Sequence, residues 1–92
     1  MNKYWNYRVM AFKYAYINDV YFEIREVHYD GNKPTAYSVV TAKPFSDTTD
    51  GLAWQIKEMR SCLKKPVLWG DDKFPQIYKP KKTSKKKQKN EK

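Results

Sequence analysis

The sequence predicts a small α+β domain in which a three-stranded antiparallel meander packs against one C-terminal α-helix. Three runs rich in β-branched and aromatic residues are separated by short polar turns, which is typical of a meander. A stretch with apolar residues at helical spacing follows them, and from residue 79 onward no hydrophobic side chain remains. We therefore expect one βββα domain over residues 1–78 and a disordered basic tail over residues 79–92.

The central strand is predicted at residues 20–29, a run that contains neither glycine nor proline. The first strand is predicted at residues 4–16, where the apolar residues change parity near residues 9–11. We expect a β-bulge at that change; the alternative is a strand covered on both faces. The third strand is predicted at residues 36–42, after a turn that begins with Asp-Gly at residues 30–34.

The helix is predicted at residues 49–65, with Thr48 as its N-cap and Pro66 after its end. Its apolar residues recur at spacings of four, three and four and so share one face: Leu52, Ile56, Met59 and Leu63. We expect this face to be buried against the sheet. Trp54 lies on the opposite, polar side of the helix, where it is either exposed or covered by residues 74–78.

The positive charge of the chain is concentrated in the tail. The net charge is +9, but residues 79–92 hold eight lysines and one glutamate, which gives +7. Residues 1–78 hold eleven basic and nine acidic residues, which gives +2. A lysine-rich tail can neutralise phosphates and release counterions from a nucleic acid, or it can serve as a solubilising terminus without a partner.

Residue types that carry catalysis or bind metals are scarce. The chain has one cysteine, Cys62, and one histidine, His28, whereas a structural zinc site needs four such ligands. We expect a buried inert thiol at Cys62, a structural histidine at His28, no metal or other cofactor, and no enzymatic activity. No apolar run reaches the length of a membrane span or a signal peptide, so we expect a cytoplasmic protein that does not bind membranes.

Three motifs resemble landmarks of a group of small uncharacterised bacterial proteins. They are W-N-Y-R-V at residues 5–9, I-R-E-V-H-Y-D at residues 24–30, and L-K-K-P-V-L at residues 63–68. The resemblance implies the order strand, strand, strand, helix. Since the group has no established activity, it implies no functional residue, and Gly51 and Trp54 depart from the glutamate-rich helix start of the group.

The first functional hypothesis is a non-catalytic module that contacts nucleic acid or a ribonucleoprotein. Tail lysines would supply affinity, and the sheet face opposite the helix would supply arginine and aromatic contacts. The candidate residues are Lys79, Lys81, Lys82, Lys85, Lys86, Lys87, Lys89, Arg8, Arg25 and Tyr21. A three-stranded sheet backed by one helix resembles, in topology alone, the plant domains that lay such a sheet in the DNA major groove. Cross-strand pairing on a solvated face accounts for the same residue types.

The alternative hypothesis is a protein-binding adaptor or inhibitor, of the kind that mobile elements carry, which docks on a larger host protein. Tryptophan and other aromatic residues are enriched at the centres of protein interfaces. The candidate contact residues are Trp54, Trp69 and Phe74. The two hypotheses differ in salt response, because phosphate binding weakens steeply with ionic strength and an aromatic interface does not.

Overall fold

The computed structural model describes residues 2–80 as a small α+β fold, in which a curled four-stranded sheet carries one C-terminal helix. The elements are β1 (Lys3–Lys13), β2 (Val20–Asp30), β3 (Lys33–Tyr37), α1 (Thr49–Ser61) and β4 (Leu68–Trp69). The strand order is β3-β2-β1-β4, in which β4 is parallel to β1 and the other neighbours are antiparallel. The predicted disordered tail lies outside the described residues, apart from Lys79 and Pro80.

The long hairpin of β1 and β2 forms the centre of the sheet. All eleven residues of β1 pair with β2 in one unbroken register, from Lys3 opposite Asp30 to Lys13 opposite Val20. The predicted bulge in β1 is therefore wrong. The alternative explains the change of parity, because both faces of this hairpin are covered by other parts of the chain.

Two small hydrophobic clusters lie on opposite faces of the sheet. The first consists of Met10, Phe12, Val27, Tyr29 and Leu68, with Tyr21, Tyr37 and Phe74 packed against it. The second consists of Tyr7, Met59 and Cys62, with Val9, Ile24 and Ala42 at its margin. Residues of β1 and β2 that contact the first cluster point to one face of the sheet, and those that contact the second point to the other face. The parity of the apolar residues therefore changes along each strand.

The third strand begins earlier than the sequence predicts. A two-residue turn, Gly31-Asn32, joins β2 to β3, and Gly31 adopts a φ of 66°, which glycine reaches without strain. Pro34 lies inside β3, where a missing N–H is tolerated because this is an edge strand. The predicted strand at 36–42 is wrong beyond Tyr37; residues 38–42 instead contact β2 through separate hydrogen bonds, such as Ala42 N–H to the Ile24 carbonyl (2.7 Å).

The fourth strand is an element that the sequence pattern did not classify. Leu68 and Trp69 pair in parallel with Met10 and Ala11, so the chain after the helix returns to the free edge of β1. Gly70 continues this contact by donating its N–H to the Ala11 carbonyl (2.9 Å). A Cβ at Gly70 would overlap the ring of Phe12, which explains why the smallest residue follows β4.

The helix is capped as predicted, but only part of its predicted apolar face is buried. The Thr48 hydroxyl accepts a hydrogen bond from the Gly51 N–H (3.0 Å), and a 3-10 turn at Cys62–Lys64 continues the helix. Only the C-terminal end packs closely on the sheet, through Met59 and Cys62. The predicted burial of Ile56 and Leu63 is wrong, since these side chains are 51% and 66% exposed.

Alanine substitutions along the helix test this packing. Met59 is 8% exposed, so Met59→Ala should lower the free energy of unfolding by about 2–5 kcal/mol, as loss of a buried large side chain does. Leu63→Ala is the matched control and should change stability by less than about 0.5 kcal/mol. Urea denaturation followed by circular dichroism measures both values. A loss for Leu63→Ala as large as that for Met59→Ala would contradict the exposed position of Leu63.

Candidate nucleic-acid interface

The sheet face opposite the helix does not offer the predicted arginine surface to solvent. Phe74 packs on this face at 4.8 Å from the Tyr37 ring, and the Asp71 N–H donates to the Tyr37 hydroxyl (2.8 Å). The segment after β4 therefore covers the face. The expectation that Tyr21 and Arg25 point outward into water is wrong, because the sheet curls around these side chains.

Arg8 is a buried arginine with structural partners. It is 9% exposed, and its guanidinium donates to the Tyr29 hydroxyl (2.7 Å) and to the Pro66 carbonyl (2.6 Å). Its Nε atom is buried without a hydrogen-bond partner. Because both terminal nitrogens of this guanidinium already donate to protein oxygens, a phosphate could reach Arg8 only if Pro66 moved away.

Arg25 is held in a similar way on the neighbouring strand. Its guanidinium forms an ion pair with Glu23 and donates to the carbonyls of Ser38 (2.6 Å) and Val39 (3.1 Å). The same group lies 4.4 Å from the centre of the Phe12 ring. Tyr21 is half-buried next to Phe12, with ring centres 5.8 Å apart. These contacts account for all three predicted sheet residues, and their role toward nucleic acid stays a prediction.

A basic and aromatic surface exists instead around Trp69, which lies in the edge strand β4. The ammonium groups of Lys73 and Lys13 lie 4.6 Å and 5.9 Å from the centre of the Trp69 ring. Tyr78 packs edge-on against Trp69 at 5.1 Å and against Phe22 at 5.4 Å. Cations at this distance from an indole are attracted by its ring electrons.

These residues line an open cleft of about 540 Å³, which we call the Trp69 cleft. Its walls are Trp69 and Tyr78, the lysines Lys13, Lys73 and Lys79, and the loop at residues 17–20. Three ammonium groups therefore face one carboxylate, Asp19, which accepts a hydrogen bond from the Val20 N–H (2.8 Å). The chain leaves the cleft at Lys79 and Pro80 and enters the lysine-rich segment, so the two basic regions are continuous.

The three aromatic residues predicted to bind a partner lie in different places. Trp69 is half-buried in the cleft, and Phe74 packs into the first hydrophobic cluster. Trp54 is 52% exposed beside the first strand, and residues 74–78 pack at the other end of the sheet. The alternative in which residues 74–78 cover Trp54 is therefore wrong.

Sequence reasoning predicted Lys79 but missed the other two lysines of the cleft. Lys13 and Lys73 are far apart in the chain, and Lys13 lies at the end of a strand with no neighbouring basic residue. They meet because β4 pairs with β1 and brings Trp69 opposite Ala11. The one available signal was the short interval from Trp69 to Lys73, which alone does not indicate a surface. The tail lysines from Lys81 to Lys89 lie outside the described residues.

The single cysteine and the single histidine of the sequence lie in different environments. Cys62 is buried beneath the helix and donates its thiol hydrogen to the Met59 carbonyl (2.9 Å), whereas His28 is exposed. Within residues 2–80, no three His, Cys, Asp or Glu residues are grouped so that they could hold a metal ion. No helix in the same range is long and apolar enough to cross a membrane.

Comparison of the chain with protein-family models, with curated proteins and with solved structures finds no match. The resemblance to small bacterial proteins thus remains limited to the three motifs. Residues 5–9 lie in β1, residues 24–30 form the end of β2, and residues 63–68 run from the 3-10 turn after the helix to the first residue of β4. Functional inference for this chain consequently depends on its own geometry.

The reactivity of Cys62 checks the packing below the helix. Burial raises the pKa of the Cys62 thiol, and the nearby charges of Arg8 and Lys65 only partly oppose this effect. Because the thiolate is the reacting species, a disulfide reagent should react slowly with the native protein at neutral pH. One thiol should react rapidly after denaturation in guanidinium chloride. Rapid reaction in native buffer would contradict the buried position.

Proposed function

We propose that this protein is a non-catalytic module that binds single-stranded nucleic acid in the Trp69 cleft. The observation that carries the proposal is the position of Trp69, a half-buried indole flanked by the ammonium groups of Lys13 and Lys73. Single-strand binding sites combine aromatic rings on which bases stack with basic groups that follow the backbone. The cleft offers both kinds of group within one open surface.

The aromatic residues and the lysines of the cleft would contact different parts of a nucleic acid. Trp69 and Tyr78 offer ring surface to bases, which stack on any π-face without sequence preference. Lys13, Lys73 and Lys79 lie where they can contact phosphates on either side of a stacked base. The lysine-rich segment after Lys79 would add phosphate contacts along the strand, which raises affinity but does not select a sequence.

The shape of the sheet supports a single strand rather than a duplex as the ligand. Arg8 and Arg25 lie on the covered face and already make hydrogen bonds, so this face cannot enter a DNA groove as a recognition surface. The cleft lies at an edge of the sheet, next to the two-residue strand β4. A flexible strand can follow such an edge, and its unstacked bases are free to reach the indole.

A single substitution separates the cleft from the other exposed tryptophan. Trp69→Ala should weaken binding of a labelled oligothymidylate or oligouridylate by about 5- to 150-fold, since one stacked base contributes about 1–3 kcal/mol. Trp54→Ala is the matched control and should leave the affinity unchanged. Fluorescence anisotropy measures the affinities, and circular dichroism confirms that both variants fold. Equal affinities for the two variants would overturn the proposal.

Salt dependence tests the lysines without removing apolar surface. The double variant Lys13→Gln/Lys73→Gln should lower the slope of log K against log salt by about 1.4, because each phosphate contact contributes roughly 0.7. Lys57→Gln, on the exposed side of the helix, is the control and should leave the slope unchanged. An unaltered slope in the double variant would place the phosphate contacts elsewhere.

Deletion of residues 81–92 separates the tail from the cleft. The deletion removes seven lysines and one glutamate but no hydrophobic side chain, so stability should change by less than about 0.5 kcal/mol. Affinity should fall and its salt slope should decrease, whereas the loss caused by Trp69→Ala should persist in the shortened protein. If the shortened protein no longer responds to Trp69→Ala, the cleft is not the site of base contact.

A second candidate function, a protein-binding adaptor or inhibitor, is favoured by exposed apolar residues along the helix. Phe45 is 74% exposed, and its N–H donates to the Gln55 side chain (2.7 Å), which holds it beside the helix. Ile56 and Leu63 add two further exposed aliphatic side chains. Under this function, binding of the partner would persist at high salt and would weaken in Ile56→Ala and Leu63→Ala.

A further inference from the structure

A second, smaller pocket lies between the start of β1 and the helix, away from the Trp69 cleft. It has a volume of about 260 Å³, and we call it the Trp54 pocket. Its lining residues are Trp5, Asn6, Tyr7, Trp54 and Glu58. Trp5 and Ala11, the β1 partner of Trp69, are six residues apart, which is roughly 20 Å along a strand. The two surfaces can therefore be tested separately.

Three aromatic side chains form the walls of the Trp54 pocket. The rings of Trp5 and Tyr7 are nearly perpendicular, with an angle of 86° and centres 5.2 Å apart. Trp5 is 42% exposed, and Trp54 on the helix is 52% exposed, so both indoles retain free surface. A volume below the range of drug-sized pockets suits one small group, such as a single side chain or headgroup.

The electrostatics of the pocket select a cation. Glu58 lines the pocket, Glu26 is the β2 partner of Tyr7, and no lining residue is basic. Burial, followed by the charges of Glu26 and Glu58, raises the pKa of Tyr7. The one ion pair within residues 2–80 joins Arg25 and Glu23, so neither of these carboxylates is neutralised by a salt bridge there. A protein with a net charge of +9 thus carries a locally acidic, aromatic pocket.

We propose that the Trp54 pocket binds a methylated ammonium group. Indole and phenol rings attract cations through their ring electrons, and a carboxylate at the rim adds a full opposite charge. A primary ammonium is a compact and strongly hydrated charge, which costs more to dehydrate than its methylated form. Methyl groups also bring apolar surface into contact with Trp5 and Trp54. The same chemistry is present in trimethyl-lysine of a peptide and in a choline headgroup.

Tetramethylammonium chloride is the probe of the pocket itself. In a Trp69→Phe background, the fluorescence of Trp5 and Trp54 should change saturably with tetramethylammonium at constant ionic strength, and sodium chloride should have no such effect. The neutral analogue 2,2-dimethylpropan-1-ol has a similar branched core and an added hydroxyl, and it should bind at least about fivefold more weakly, since it lacks the charge. Equal binding of this neutral analogue would overturn the proposal.

Two substitutions identify the groups responsible. Trp54→Phe retains an aromatic ring of smaller area and should weaken tetramethylammonium binding a few-fold, and Trp54→Ala should weaken it further. Glu58→Gln keeps the size of the side chain, removes its charge, and should also weaken binding. Lys57→Gln is the neighbouring control and should not. Unchanged affinity in both Trp54→Ala and Glu58→Gln would show that the pocket is not the site.

Two further comparisons distinguish a peptide from a lipid as the source of the methylated ammonium group. A peptide with trimethyl-lysine and its unmethylated counterpart form one comparison, and phosphatidylcholine vesicles against phosphatidylglycerol vesicles form the other. Preference for the methylated peptide or for phosphatidylcholine supports the proposal and identifies its ligand. Binding of the unmethylated peptide as tightly as the methylated one would overturn it. None of these results depends on nucleic-acid binding, which is tested by Trp69→Ala.

Discussion

The structure depends on how two neighbouring arginines are accommodated on the covered face of the sheet. Arg8 and Arg25 lie opposite each other on β1 and β2, a placement in which like charges repel. Glu23 neutralises Arg25, whereas Arg8 is stabilised by neutral oxygens of Tyr29 and Pro66. Burying a cation requires such partners. Arg25 donates to the carbonyls of Ser38 and Val39 after β3, and Arg8 donates to the carbonyl of Pro66 after the helix. Both segments are therefore held against the hairpin.

This use of the arginines explains why the candidate binding surfaces lie at the margins. The sheet face opposite the helix is filled by Phe12, Tyr37 and the two guanidinium groups, and the helix covers only part of the other face. Two groups of aromatic residues outside these contacts lie around Trp69 and around Trp54. Three lysines line the first, and Glu58 is the charged residue that lines the second, so the two surfaces differ in the sign of their local charge.

Local signals in the sequence identified the strands of the central hairpin and the start of the helix, but not the contacts that join distant segments. Thr48 caps the helix as its residue type predicts, because capping is decided within one turn. The extent of helix burial was misjudged because the helix meets the sheet only near its end, where Met59 of the apolar stripe and the neighbouring Cys62 contact Tyr7. β4 has two residues, too few for periodicity to be visible. Arg8 and Arg25 are exceptions to the rule that charged side chains face water, because each has hydrogen-bond partners inside the fold.

The parallel pairing of β4 with β1 also has a consequence for synthesis of the protein. β1 and β2 are adjacent in the chain and can pair as soon as both have emerged from the ribosome. The outer edge of β1 at Met10 and Ala11 is paired by Leu68 and Trp69, and the Gly70 N–H extends this contact; all three residues are translated much later. Until then, this edge presents unpaired backbone groups beside the apolar side chains of Met10 and Phe12. Exposed strand edges of this kind can pair with other chains and lead to aggregation. The segment that closes the edge is the same one that forms the Trp69 cleft, so the cleft is completed only when the growing chain no longer exposes this strand.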